Sequence, residues 1–251
     1  MRMSACAAAA SIALVSSSSP LTAKPKVPNL AQCPAWGVER RGTTRGLLNE
    51  VKHHLPPAGT PMMLTFADMM ALQQLADARV KSGPDAKVPA KDRAKLRGLE
   101  IQSGRVGEGD LVSMVGFMVG KPEVNPGESA NCYLMGASNN DFEFTFAPAA
   151  TATPYDGIIG EMIPQDRPKT WTIARLRKLS TDRRQVLVAG QLMFDTRHLP
   201  NPKRGTNHES PRVSTWEIHP VTKLLVCRQP AGGCDPTRED QWQPIETIPE
   251  K

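Results

Sequence analysis

The sequence has few aromatic residues and none of the short motifs that mark common nucleotide-binding and hydrolytic sites. Phe, Trp and Tyr make up 5% of the chain, which leaves little side-chain surface for stacking nucleic-acid bases. There is no Gly-x-Gly-x-x-Gly fingerprint, no P-loop and no Gly-x-Ser-x-Gly elbow. Dinucleotide-dependent chemistry, P-loop phosphate transfer and elbow-type serine hydrolysis are therefore not indicated.

No two cysteines have the Cys-x-x-Cys spacing that zinc sites usually use. Apart from Cys6 in the N-terminal leader, the chain has Cys33, Cys132, Cys227 and Cys234. This even number predicts two disulfides in an oxidising compartment, although four cysteines allow three pairings. Pairing Cys227 with Cys234 closes a short Gly-rich loop and leaves Cys33 for Cys132.

Residues 1–23 differ in composition from the rest of the chain. Arg2 precedes an apolar run, Ala5–Val15, and small residues follow it as far as Ala23. This order is typical of a secretory signal peptide, and the run is shorter than the roughly 20 residues that span a bilayer. We therefore predict export to the periplasm or the medium. The alternatives are a disordered Ala/Ser-rich leader and an organelle transit peptide.

The formal net charge of +6 suits an anionic partner such as nucleic acid or a glycan. A soluble basic exported protein without such a partner is the simpler interpretation, because the excess is small and the basic residues are not interleaved with aromatics.

Residues 24–108 predict a helical and irregular extension with a basic linker. Arg45–His54 and Leu64–Val80 have helical spacing, and Thr65 with Asp68 is typical of a capping box at the start of the second helix. The charged stretch Lys81–Arg97 is predicted to be a solvated connector, with a phosphate-binding arm as the alternative.

From residue 109 the pattern changes to strands. They are predicted at Asp110–Gly120, Asn131–Met135, Asp141–Phe146, Gly157–Ile163 (a short extra strand), Arg184–Asp195 and Arg212–Cys227, with an amphipathic helix at Trp171–Leu179. A helix before the fourth principal strand is the order of an OB-fold. We predict a mainly β (β-rich α+β) fold: an OB-like barrel of five to six strands over residues 109–234, with a polar tail at 235–251. Another β-rich α+β domain is the alternative.

The last predicted strand carries the residues with the most chemistry. Strand alternation places Glu217 and His219 on one face, and Trp216 and Ile218 on the other, inward face. The first pair forms either one wall of a site or a polar outer face.

Four residues near the last two strands form a candidate site: Asp195, His198, Glu217 and His219. Two carboxylates and two imidazoles can bind a divalent metal or act as acid and base, as a metal-dependent hydrolase or nuclease requires. The structural alternative is that Glu217 pairs with Arg212 and that His219 hydrogen-bonds the loop Thr196–Pro211.

Four segments together carry a resemblance: Asn131–Leu134, Ser138–Phe144, Gly190–His198 and Ser214–Val221. They resemble a group of uncharacterised exported bacterial proteins with an OB-like barrel, and the Trp-Glu-Ile-His-Pro strand is the most specific piece. Glu143 stands where that group is expected to have histidine. The resemblance implies a fold and an export route, and it implies no chemistry.

The function expected from the sequence is non-catalytic binding of a ligand or partner. OB-type barrels bind on the face of strands 2 and 3, where Tyr133 is the one stacking candidate because Phe142, Phe144 and Phe146 alternate into the core. The first alternative is the metal-dependent hydrolase or nuclease. The second is a structural envelope protein that contacts other envelope proteins.

Overall fold

A computed structural model describes residues 27–83, 86–200 and 211–250. The predicted signal peptide, with Cys6, lies outside the described residues, and so does most of the loop Thr196–Pro211. Within the described ranges, no helix is long and apolar enough to cross a membrane.

Short helices precede and interrupt a set of strands that pair mainly in one sheet. The helices are α1 (Thr44–Lys52), α2 (Phe66–Asp77), α3 (Ala90–Arg93) and α4 (Ile173–Thr181). The strands are β1 (Met62–Met63), β2 (Leu99–Ile101), β3 (Gly104–Val106), β4 (Leu111–Asn125), β5 (Asp141–Ala147), β6 (Ile158–Met162), β7 (Gln185–Phe194), β8 (Trp216–Cys227) and β9 (Trp242–Pro244). The three predicted helices are confirmed as α1, α2 and α4, and the Thr65–Asp68 capping box is present.

Five strands close into a ring. Their order is β4, β5, β6, β8 and β7, and β7 pairs back onto β4. The contact of β6 with β8 is parallel, at Gly160 and Ile218, and the other ring contacts are antiparallel. Outside the ring, β1 pairs with β4, β9 pairs with β8, and β2 pairs with β3 in a separate sheet. The predicted mainly β architecture is confirmed, with α4 between the third and fourth ring strands.

The long strand β4 bends so that it can belong to both sides of the ring. Its first half, to Phe117, pairs with β7, and the second half pairs with β5. The register shifts between Val119 and Glu123, where Gly120 has a φ of +71°, a left-handed conformation that favours glycine. Gly120 therefore permits the bend at which β4 changes partner.

The main hydrophobic core fills the ring and extends under α2 and α4. Phe142, Phe144 and Phe146 are buried, as predicted, and so are Trp216 and Ile218 of β8. Helix α2 packs on this core, where the ring of Phe66 meets the edge of Phe146 with 6.0 Å between the ring centres. Because these side chains point inward, their neighbours in sequence point to the outer face of the ring.

The strand predicted at Asn131–Met135 is wrong. This segment is a series of turns, in which Cys132 and Tyr133 have φ of +54° and +57°. A chain in the left-handed region cannot continue a β ladder. The second ring strand is therefore β5, and Tyr133 lies on a loop, not on a strand face.

Both predicted disulfides are present, Cys33–Cys132 and Cys227–Cys234. The first spans 99 residues of sequence and anchors the turns that follow β4 to the N-terminal segment. The second closes the short loop between β8 and β9.

The stretch Lys81–Arg97 is not simply a solvated connector. It contains α3, and Arg93 is buried, with two hydrogen bonds to Glu108 and one to the carbonyl of Phe194. Arginine can be buried in this way because its planar guanidinium pairs with both oxygens of a carboxylate.

Gly190, at the register shift between β7 and β8, gives a direct test of the ring. A Cβ on Gly190 would lie 2.1 Å from the carbonyl oxygen of Pro220 and 2.9 Å from the Cα of Val221. We expect Gly190→Ala to lower the free energy of unfolding by about 3 kcal/mol, because the backbones must separate. Urea denaturation measures this loss. Gly59→Ala is the control, since its Cβ meets nothing within 4 Å, and an equal loss in both variants would contradict the prediction.

Candidate metal centre and adjoining cleft

Charged side chains gather on the outer face of β5, β6 and β8. Glu143 and Glu161 lie opposite each other on β5 and β6, and the single β6–β8 contact brings Glu161 beside His219. The C-terminal end of α1 lies over this face, since Gln191 of β7 donates to the carbonyl of Val51 at 2.9 Å. The face is therefore an interior surface, and of the two alternatives for Glu217 and His219 the structure excludes a solvent-facing outer face.

Asp141, Glu161 and His219 form the centre of this group. All three are buried, and one ligand atom from each lies within 4.8 Å of the others. The imidazole Nδ1 of His219 is 2.9 Å from Glu161 Oε2, and its Nε2 is 3.5 Å from Asp141 Oδ2. These two contacts use different nitrogens of the imidazole, and one ion binds only one of them. The measure that the three residues share is therefore the 4.8 Å limit, slightly wider than the roughly 3–4 Å between ligands about 2.1 Å from one ion.

Two atoms of this centre have no hydrogen-bond partner among the described residues. They are His219 Nε2 and Glu161 Oε2, both fully enclosed. The approach of His219 Nδ1 to Glu161 is off the direction of a hydrogen bond, and Nδ1 bonds Glu217 Oε1 instead at 3.1 Å. A buried polar atom without a partner is costly, so this pair of atoms indicates a place for a water molecule or an ion.

Lysine and arginine side chains partly balance the carboxylates. Lys52 of α1 donates to Glu128 at 3.0 Å and lies 3.8 Å from Glu161 Oε2. Arg212 donates to Glu217 at 3.0 Å and is 3.8 Å from Asp195. The predicted pairing of Glu217 with Arg212 is confirmed.

The carboxylates still outnumber these two cations, and the pKa values reflect this. Burial, with the repulsion of Glu128, raises the pKa of Asp141 to about 7. Burial alone would raise the pKa of Glu161, but Lys52 and His219 hold it at about 2. Burial lowers the pKa of His219, yet Glu161 and Glu217 overcome this and raise it to about 10. Without another cation, a protonated imidazole supplies the missing positive charge.

Amide side chains hold Asp141 in place. Asn131 donates to Asp141 Oδ1 at 2.8 Å, and Gln165 donates to Asn131 at 3.1 Å. These contacts leave Asp141 Oδ2 facing His219. Oriented carboxylates of this kind are typical of metal ligands.

Asp195 and His198 lie at the side of the group, on a cleft of about 310 Å³. His198 Nδ1 makes a short hydrogen bond to the buried Asp195, whose other oxygen accepts from the Arg197 amide at 3.0 Å. Lys52, Glu128 and Tyr133 line the same cleft. Because Asp195 engages Nδ1, Nε2 is the imidazole nitrogen available to a ligand.

The structure thus divides the four predicted site residues into two places. His219 belongs to the metal-type centre with Glu217 beside it, while Asp195 and His198 face the cleft. Arg212 links the two pairs through Asp195 and Glu217. Three of the four are buried and only the His198 side chain, 52% exposed, reaches solvent, so they do not form one solvent-facing site.

Sequence reasoning missed Asp141, Glu161 and Lys52 as site residues. Glu161 had a usable signal, because it is the one charged residue in the apolar segment Gly157–Ile163. Asp141 at the start of an alternating strand and Lys52 near the end of a helix are common on protein surfaces and gave no signal.

The His198–Asp195 pair makes stability depend on pH. The hydrogen bond to Asp195 raises the pKa of His198 above its usual 6.5. The stabilisation is therefore fully present below pH 6.5 and is lost as the pH rises through the raised pKa. We expect His198→Gln to lower the free energy of unfolding at about pH 5.5 and to have a progressively smaller effect towards about pH 9, as the imidazolium of His198 loses its proton.

Urea unfolding at both pH values measures this difference. His54→Gln is the control, since His54 is exposed and forms no ion pair with a described residue. A deficit for His198→Gln of the same size at both pH values would show that the ion pair contributes nothing.

In comparisons with known proteins, no family model and no curated protein matches this chain.

Proposed function

We propose that this chain is an exported, OB-type binding protein that holds a divalent metal ion between Asp141, Glu161 and His219. The observation that carries the proposal is the enclosed centre itself: three buried ligand side chains, with His219 Nε2 and Glu161 Oε2 lacking hydrogen-bond partners among the described residues. An ion held by one nitrogen of His219 and one oxygen of each carboxylate supplies the positive charge that the carboxylates require.

The ligand types narrow the choice of metal. Two carboxylates and one imidazole suit Mn²⁺, Fe²⁺ or Zn²⁺ better than Ca²⁺, which takes oxygen ligands, or Cu⁺, which prefers sulfur. The imidazole must be neutral to bind the ion, so metal binding displaces the proton that His219 otherwise carries.

A structural role for the ion is better supported than a catalytic one. Catalytic sites keep an open coordination position for water or substrate, whereas structural sites are closed. The cleft is lined by Lys52, Asp195 and His198, and none of the three metal ligands is among its lining residues. This favours the binding function expected from the sequence over the metal-dependent hydrolase or nuclease.

Separate observations support the proposed fold and the proposed location. A closed ring of five strands with a helix between the third and fourth supports an OB-type barrel and the resemblance to exported OB-like proteins. Two disulfides support an oxidising compartment, such as the periplasm or the medium.

Metal analysis of the purified protein, followed by calorimetric titration of the chelator-treated protein with MnCl2 or ZnCl2, tests the metal site. We expect one ion per chain and a higher melting temperature, because an ion at a hundred times its Kd stabilises the fold by about 2.7 kcal/mol. Asp141→Asn is expected to weaken binding by at least about tenfold, since it removes the charge of one ligand. Asp240→Asn, on an exposed ion pair, is the control. No bound ion and no titration heat with either metal would refute the proposal.

Substitution of Lys52 provides a second test of the metal site, with the opposite expected effect on metal affinity. The Lys52 Nζ lies 3.8 Å from Glu161 Oε2, close to the proposed position of the ion. Removing a like charge so close to the ion should strengthen binding, and we expect Lys52→Met to lower the Kd for Mn²⁺ by about tenfold or more. Lys178→Met, in the exposed pair with Asp182, is the matched control. Unchanged or weaker binding in Lys52→Met would place the ion elsewhere.

A further inference from the structure

The cleft beside His198 continues into a second cavity along α1. The second cavity has a volume of about 520 Å³, and the two share the lining residues Glu39, Arg45, Leu48 and Arg197. Together they form one groove, here called the basic groove, that runs from the N-terminal end of α1 to His198. A groove of this size holds a ligand larger than a single ion.

Cations dominate the second cavity. It is lined by Arg40, Arg45, Lys87 and Arg197, and Glu39 is the one acidic residue among the described lining residues. All four cations are exposed, and none forms an ion pair with a described residue. Four cations along one concave surface create a local positive potential.

The carboxylates at the far end of the groove do not cancel this potential. Glu128 is paired with Lys52, and Asp195 is paired with His198 and lies near Arg212. The N-terminal end of α1, where Thr43 caps the helix, adds its partial positive charge on the same side. The described lining of the groove, which includes Glu39 in both cavities, therefore carries more cations than carboxylates.

We propose that the basic groove binds a phosphate-bearing ligand, with Arg45 and Arg197 on the phosphate and His198 donating a hydrogen bond from Nε2. Arginine favours phosphate because its planar fork matches two phosphate oxygens at once. Among the described residues, Arg45 and Arg197 are the cations that line both cavities, so they lie where the two cavities meet. Asp195 fixes the imidazole through Nδ1. This site is separate from the metal centre and does not depend on it.

Calorimetric titration with pyrophosphate tests the site in the full chain after treatment with chelator, at low ionic strength. We expect binding that weakens as salt is added, and a loss of at least about tenfold in affinity for Arg197→Gln and for Arg45→Gln. Arg105→Gln is the matched control, because Arg105 is an exposed arginine on the separate two-stranded sheet. His198→Gln should also weaken binding, and less than the arginine variants. Absence of pyrophosphate binding, or equal losses in Arg197→Gln and Arg105→Gln, would overturn the proposal.

Two further experiments identify the source of the phosphate and distinguish the basic groove from the proposed metal site. A short single-stranded oligonucleotide that competes with pyrophosphate and needs Arg197 would identify a phosphodiester polymer as the ligand. If it does not compete, the ligand is a small phosphate compound. Asp141→Asn is expected to bind pyrophosphate like the unaltered chain, whereas loss of pyrophosphate binding in this variant would overturn the assignment of a separate site.

Discussion

A buried carboxylate must be matched by positive charge, and this requirement governs the outer face of the strand ring. Asp141, Glu161 and Glu217 are withdrawn from water by the segments that pack over them. Isolated burial of even one ionised carboxylate costs several kcal/mol, so the cover must bring cations with it. Lys52 belongs to α1, before the ring, and Arg212 belongs to the segment that leads into β8. The N-terminal segment is thus part of the electrostatic structure of the ring and not an appendage to it.

The same requirement explains why the pKa values of the buried carboxyls of Asp195 and Asp141 shift in opposite directions. Asp195 shares its charge with His198 and Arg212, and the cations together keep the pKa of this buried carboxyl below its usual range. Among the described residues, the carboxylate of Asp141 accepts a hydrogen bond from the Asn131 amide, and burial raises its pKa to about 7. The charge of Asp195 is therefore balanced by protein side chains. Beside Asp141 the cations are Lys52 and the protonated imidazole of His219, fewer than the surrounding carboxylates, and this is where we propose the metal.

Local patterns predicted the elements well and their assembly poorly. Alternation in β5 and β8 correctly placed the three phenylalanines, Trp216 and Ile218 inside the ring. It also placed Glu217 beside His219. Whether that outer face meets water or protein depends on α1, which lies more than a hundred residues away in sequence, and alternation carries no information about it. The pairing of Glu161 with His219 depends in the same way on a single parallel contact between β6 and β8.

The Cys33–Cys132 disulfide makes the charged face depend on thiol oxidation. It anchors the turns that carry Glu128 and Asn131, and these two residues hold Lys52 and Asp141 respectively. In a reducing compartment these turns lose their covalent link to the N-terminal segment. Noncovalent contacts alone must then hold together segments that are 99 residues apart in sequence. Thiol oxidation therefore supports the ordering of the buried group, and the two disulfides fit an extracellular or periplasmic protein.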